Sequence, residues 1–246
     1  MKIPNNIFFI LIALLIIINC THYVTKEGFN ALEWFDMGQE AYTNNNIQGA
    51  INAFSRAIEI DPKYEEAYFS RGMAYDASHA YSEAIADYSE VIKVFPDFIE
   101  SYTHRGDDYY HLGNYSQSIL DYNKAIDLDP EYSPAYFLRG IAYKGLGKYS
   151  QAIADYNKFI RQKPDNIYAY VGRGEAYVKL GNQKEAIADY DKAIQLNSEY
   201  AIAYYGRGQA YNIFGKHDQA IEDWKTAARL GLQEAQDVLR NQNIIW

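Results

Sequence analysis

The densest cluster of side chains that could hold a metal ion is HRGDDYYH, His104 to His111, where two histidines seven residues apart share a helix face with Asp107 between them. Imidazoles and a carboxylate are first-row metal ligands, so a metal site is the first chemistry to weigh. Two helical turns are a long reach for one ion, and no further histidines or acids recur at matching positions. The cluster therefore reads as solvated polar residues on one helix. The carboxylates of Asp127, Asp129 and Glu131 read the same way, as surface and helix-end groups. No glycine-rich phosphate loop, GxSxG elbow or HExxH is present, and no catalytic residue, cofactor or metal is expected.

A second arrangement recurs along the chain. Arg71, Arg105, Arg139, Arg173 and Arg207 are each followed 16 residues later by an aspartate, at Asp87, Asp121, Asp155, Asp189 and Asp223. At the two corresponding positions before the first of these stand Met37 and Ala53, so both members are missing together. Each arginine comes with its own acid, which suits a structural ion pair across two facing helices better than a ladder for an anionic ligand. Stranding one charge of such a partly buried pair costs about 3 to 5 kcal/mol.

The elements that position these pairs are set by a strict period. Gly38, Gly72, Gly106, Gly140, Gly174 and Gly208 lie 34 residues apart without insertion or deletion. Each has an aromatic four residues before it (Trp34, Tyr68, Tyr102, Tyr136, Tyr170, Tyr204) and a small residue twelve after it (Ala50, Ala84, Ser118, Ala152, Ala186, Ala220). Sixteen after it comes another aromatic (Phe54, Tyr88, Tyr122, Tyr156, Tyr190, Trp224), and four units add a proline at 62, 96, 130 or 164. Small residues let two antiparallel helices approach while aromatics at helical spacing fill the seam. Gly113, Gly147, Gly181 and Gly215, with Asn45 in the first unit, mark the turn between helices, and proline stops the second helix.

This signature resembles the tetratricopeptide repeat from Ala31 to Glu234, with local departures at Ala41, Ser198 and Leu232. The resemblance implies an all-α fold, a right-handed α-solenoid of six 34-residue helical hairpins at 31–64, 65–98, 99–132, 133–166, 167–200 and 201–234. Residues 235–246 are expected to form a capping helix and tail, with the Ile244–Trp246 end folding back on the last repeat, or else serving as a small docking peptide.

At the other end, Ile7 to Ile18 is an apolar run of 12 residues after Lys2, about 18 Å as a helix against a hydrocarbon core of about 30 Å. It matches a secretory signal peptide. The segment IINC, Ile17 to Cys20, resembles the lipobox of bacterial lipoproteins, although Asn19 departs from the usual small residue. The expectation is a signal peptide over 1–19, lipidation of Cys20, and a tether over 20–30, giving a membrane-anchored lipoprotein on the periplasmic or outer surface of the cell envelope. An uncleaved signal anchor and plain secretion are the alternatives. As the lone cysteine, Cys20 excludes an internal disulfide, and a net charge of −9 without a lysine and arginine cluster argues against nucleic acid as a partner.

In the resembling family the first helices of successive units line a concave groove that holds peptides. Carried onto this sequence, the groove takes Phe35, Phe69, Thr103, Phe137, Val171 and Tyr205, three before each glycine, and Gln39, Met73, Asp107, Ile141, Glu175 and Gln209, one after it. The set is apolar and aromatic with a weakly acidic centre. It lacks the lysine and asparagine clamp with which some members hold a terminal carboxylate. The resemblance thus implies a non-catalytic protein-binding scaffold, an assembly or targeting factor for an envelope complex that takes a protein or peptide with an apolar face. The alternative is a carrier or chaperone sheltering an apolar ligand or membrane segment in the same groove.

Overall fold

The computed structural model describes residues 28–246, so the apolar run, Cys20 and most of the tether lie outside the described residues. All regular elements among the described residues are α-helices, and they fall into two compact units, one ending at Ala80 and the other running from Tyr81 to Trp246.

The first unit holds α1 (Ala31–Thr43), α2 (Ile47–Ile60) and α3 (Glu65–Ala77). Asn30 and Glu33 open α1 with a reciprocal capping box, Glu33 N–H donating to Asn30 Oδ1 at 3.0 Å and Asn30 N–H to Glu33 Oε2 at 2.9 Å. Asn45 turns the chain at a φ of 59°, and Asn46 then caps α2. Gly38 brings α1 close: a Cβ there would lie 2.4 Å from the Phe54 ring, which is buried between the helices.

The second unit begins with α4 (Tyr81–Val94) and continues as hairpins α5/α6 (Ile99–His111, Tyr115–Leu128), α7/α8 (Ser133–Gly145, Tyr149–Gln162), α9/α10 (Ile167–Lys179, Gln183–Leu196) and α11/α12 (Ala201–Ile213, His217–Arg229). It ends with α13 (Gln233–Asn241). The α7/α8 turn shows how each hairpin closes. Gly147 adopts a φ of 71°, its N–H donates to Lys144 O at 3.0 Å, and Lys148 N–H donates to Tyr143 O at 2.8 Å, satisfying the last carbonyls of α7. Within the first unit, His79 takes the same left-handed conformation at a φ of 61°.

The core repeats with the hairpins. Tyr122, Tyr156, Tyr190 and Trp224 on the second helices are buried, each facing the glycine of its own first helix. Fully buried alanines such as Ala135, Ala142, Ala169 and Ala176 let neighbouring hairpins approach. Tyr102 and Tyr136 donate their hydroxyls to the carbonyls of Pro96 and Pro130 at 3.0 Å, tying each first helix to the loop before it. At the end, Ala235 and Leu239 of α13 are buried against Trp224, and Ile244 packs on the same cluster while Ile245 stays exposed.

Candidate functional site

The arginine positions are the most ordered polar feature of the second unit. Arg139 Nε and Nη2 donate to the two carboxylate oxygens of Asp155 at 2.8 and 2.7 Å. Arg105 on Asp121, Arg173 on Asp189 and Arg207 on Asp223 repeat the bidentate geometry. Arg71 and Asp87 belong to different units.

Each arginine has a further partner that the spacing of Arg and Asp did not reveal. Its remaining nitrogen, Nη1, reaches back 16 residues to the second helix of the preceding hairpin: Arg71 to Ser55 at 3.0 Å, Arg105 to Ser89 at 2.9 Å, Arg139 to Asn123 at 2.6 Å, Arg173 to Asn157 at 2.5 Å, and Arg207 to Asp191. The tripeptides Asp121-Tyr122-Asn123 and Asp155-Tyr156-Asn157 therefore hold two arginines from either side of a buried ring. The next residue of this series is Lys225, and no arginine follows it at 241. The signal was present as an oxygen-bearing side chain two residues after Asp87, Asp121, Asp155 and Asp189, but its identity varies among Ser, Asn and Asp.

Electrostatics follow from burial. Desolvation works against the charges of Arg105, Arg139 and Arg173, but the hydrogen bond and charge of each aspartate outweigh it and hold these guanidinium groups above their ordinary range. Burial pushes the carboxyls of Asp121, Asp155 and Asp189 up while the arginines pull them down. The bidentate contacts require the carboxylate form, so both members stand as ions at neutral pH. Burial also drives the phenols of Tyr122, Tyr156 and Tyr190 far above the ordinary 10.0. Charge is thus consumed inside the hairpins rather than offered to a ligand.

The groove positions divide by their place on the helix. Phe35 meets Phe54 at 5.6 Å between ring centres, and Phe137 meets Phe159 at 4.9 Å, both on the second helix of their own hairpin. Thr103 and Val171 are buried outright, Thr103 donating to Ile99 O at 3.0 Å. Tyr205 packs on the Trp224 cluster, and Phe69 is half-buried on α3. The reading of this row as open groove surface is corrected for Thr103 and Val171. The glycine faces its own hairpin partner, and a residue three earlier lies on the same side of the helix.

The residues after the glycines are different. Gln39 and Met73 in the first unit, and Asp107, Ile141, Glu175 and Gln209 in the second, are all half-exposed. Gln39 donates to Ser70 at 3.3 Å, and Glu175 pairs with Lys144 of the preceding hairpin. Beside this row the sequence reasoning missed Tyr168 and Ile202, which stand exposed at equivalent first-turn positions of α9 and α11. They were findable as apolar residues six before the glycine, in a place where Glu66 and Glu100 occur elsewhere. In the second unit, the first helices therefore present a mixed apolar and acidic strip.

The histidine cluster is not wholly solvated. His104 is half-buried and stacks on Tyr88 at 5.5 Å, and His111 stacks on Tyr81 at 4.8 Å, because both turn toward α4. Among the described residues no three of His, Cys, Asp and Glu converge closely enough to hold a metal ion. None of the described helices is long and apolar enough to cross a membrane.

Models of the TPR repeat match residues 38–78, 106–147, 146–181 and 174–212, and a second tetratricopeptide repeat model matches 65–98. The chain belongs to the tetratricopeptide repeat family. Solved structures of this TPR chain's relatives agree in fold. A MamA protein is 27% identical over 70% of this chain and 94% of its own, with a TM-score of 0.65. A tetratricopeptide repeat protein from Parabacteroides merdae is 18% identical over 85% of this chain and 97% of its own, with a TM-score of 0.70. The APC/C hetero-tetramer Cut9-Hcn1 is 17% identical over 89% of this chain and 44% of its own, with a TM-score of 0.66. No curated protein matches the chain.

Proposed function

We propose that this TPR protein is a non-catalytic scaffold that binds a partner protein along the first helices of its second unit, and that Cys20 anchors it in the cell envelope. TPR repeat proteins mediate protein–protein interactions, and the carrying observation is the strip formed by Ile141 and Glu175 beside the exposed Tyr168 and Ile202. Solvent-exposed aromatic and branched side chains at matching places on successive helices suit an extended or helical peptide with an apolar face. The envelope role follows from the IINC segment and the apolar run before it. Assembly or targeting of an envelope complex is the role that fits both.

A test is capture of partners by tagged full-length protein from membranes, with Tyr168→Glu/Ile202→Glu as comparison. The reading expects a defined set of proteins that the double variant loses; unchanged capture defeats it. Cys20→Ser should move the protein out of the membrane fraction if the anchor is lipid. The second reading, a carrier of an apolar ligand, is favoured by an open cavity of about 730 Å³ lined by Phe137, Leu138, Phe159 and Pro164. Lipid that co-purifies with the detergent-free protein, and is lost with Phe159→Asp, is its signature.

A further inference from the structure

An open cavity of about 710 Å³ lies between α1 and α2, lined by apolar Trp34, Met37, Ala41 and Ala53, by acidic Glu40 and Glu59, and by basic Arg56. In the hairpins of the second unit, the chain fills the same place itself. Where α1 has Met37 they carry arginine, where α2 has Ala53 they carry aspartate, and where α1 has Ala41 they carry tyrosine. In them the arginine Cζ lies 5.5 to 5.7 Å from the ring centre of Tyr102, Tyr136, Tyr170 or Tyr204, the counterparts of Trp34. The first hairpin thus keeps the aromatic wall and drops the arginine, its acid and the second ring together.

We propose that this cavity binds an arginine side chain of a partner polypeptide. The guanidinium lies over Trp34 with Glu40 as its counter-charge, and the methylene stem rests on Met37, Ala41 and Ala53. An indole is the strongest of the aromatic faces for a cation. Glu59 already holds Arg56 at 2.5 Å, so Glu40 is the carboxylate that remains for the ligand. Glu33, Asp36 and Glu40 also form an acidic row whose counterparts in the later first helices carry one acid, Asp108, and are otherwise residues such as Ala135, Leu138 and Ala142. That row favours a cation and repels the same face of a second copy. The site belongs to the first unit alone, so it and the face proposed for α9 and α11 can fail independently.

The test uses the full chain in detergent, with the Trp34 indole N–H resonance assigned by Trp34→Phe and the peptide acetyl-Ala-Arg-Ala-amide as probe. A saturable shift of that resonance is expected, with the uncharged citrulline peptide and the Glu40→Gln variant each binding about tenfold more weakly, the loss of one charge-assisted contact. Met37→Arg/Ala53→Asp, which installs the pair the other hairpins carry, should keep a dispersed Trp34 signal and abolish binding. The proposal is overturned by the absence of a saturable shift, by equal binding of the citrulline peptide, or by binding that survives in Met37→Arg/Ala53→Asp.

Discussion

Replacing Arg139 by alanine removes three contacts at once: two bonds to Asp155 at 2.8 and 2.7 Å, and one to Asn123 at 2.6 Å. The pair is substantially desolvated, with side chains 17% and 7% exposed, so Asp155 is left as a buried, uncompensated carboxylate. Such stranding costs about 3 kcal/mol, near the low end for buried pairs because Arg139 keeps some solvent, and the lost Asn123 bond adds about 1 kcal/mol. Asp155→Ala should cost about 3 kcal/mol for the mirror reason, and the double variant should lose about 2 kcal/mol less than the sum. The two single variants should also differ in pH dependence. Burial already pushes the Asp155 carboxyl up, and without Arg139 the opposing bond is gone. The folded variant then binds a proton before the unfolded chain does, so its deficit relative to wild type shrinks as pH falls from about 7 toward about 5. A stranded guanidinium cannot shed its proton, so the Asp155→Ala deficit should stay flat over that range. Urea denaturation followed by helical circular dichroism at both pH values measures all four proteins. Losses that add within about 0.5 kcal/mol, or equal pH dependence in the two single variants, would show that Arg139 and Asp155 are not a coupled buried pair.

Two further outcomes follow from packing and burial. A Cβ on Gly206 would lie 2.6 Å from a ring carbon of the buried Tyr190, so Gly206→Ala should destabilise by about 1 to 3 kcal/mol. Gly145→Ala meets only the half-exposed Tyr115 ring at 3.1 Å and should change denaturation stability by less than about 0.5 kcal/mol; equal losses at both sites would contradict this. Above pH 10.0 the unfolded tyrosines ionise while Tyr122, Tyr156 and Tyr190 hold their protons in the fold. The folded state then binds more protons, and stability should fall by about 1.4 kcal/mol per pH unit for each, about 4 kcal/mol for the three. A denaturation midpoint that does not move between about pH 10 and pH 11 would show that these phenols titrate in the folded protein.

The hairpins were readable because the glycine, alanine and aromatic positions recur every 34 residues, and each recurrence reports the same close approach of two helices. The Arg139–Asp155 type of pair was readable because both members vanish together at Met37 and Ala53. Its third partner was not, since Ser89, Asn123 and Asp191 share only an acceptor oxygen. The left-handed turn at His79 was harder to read than those at Gly113 and Asn45, because glycine adopts positive φ without a Cβ penalty and histidine does not. The burial of Thr103 and Val171 was not readable because a repeat pattern gives spacing but not the side of the helix. That side became plain only when Gly140 and Gly174 were seen against Tyr156 and Tyr190.

The proposed binding face runs along the first helices of the second unit. Its most direct test is site-specific photo-crosslinking in cells, with the crosslinking amino acid placed in turn at Tyr168 on α9 and at Leu120 on α6, both 57% exposed. Discrete protein adducts are expected from position 168 and none from position 120. Adducts of the same proteins from both positions, or from 120 alone, would contradict it.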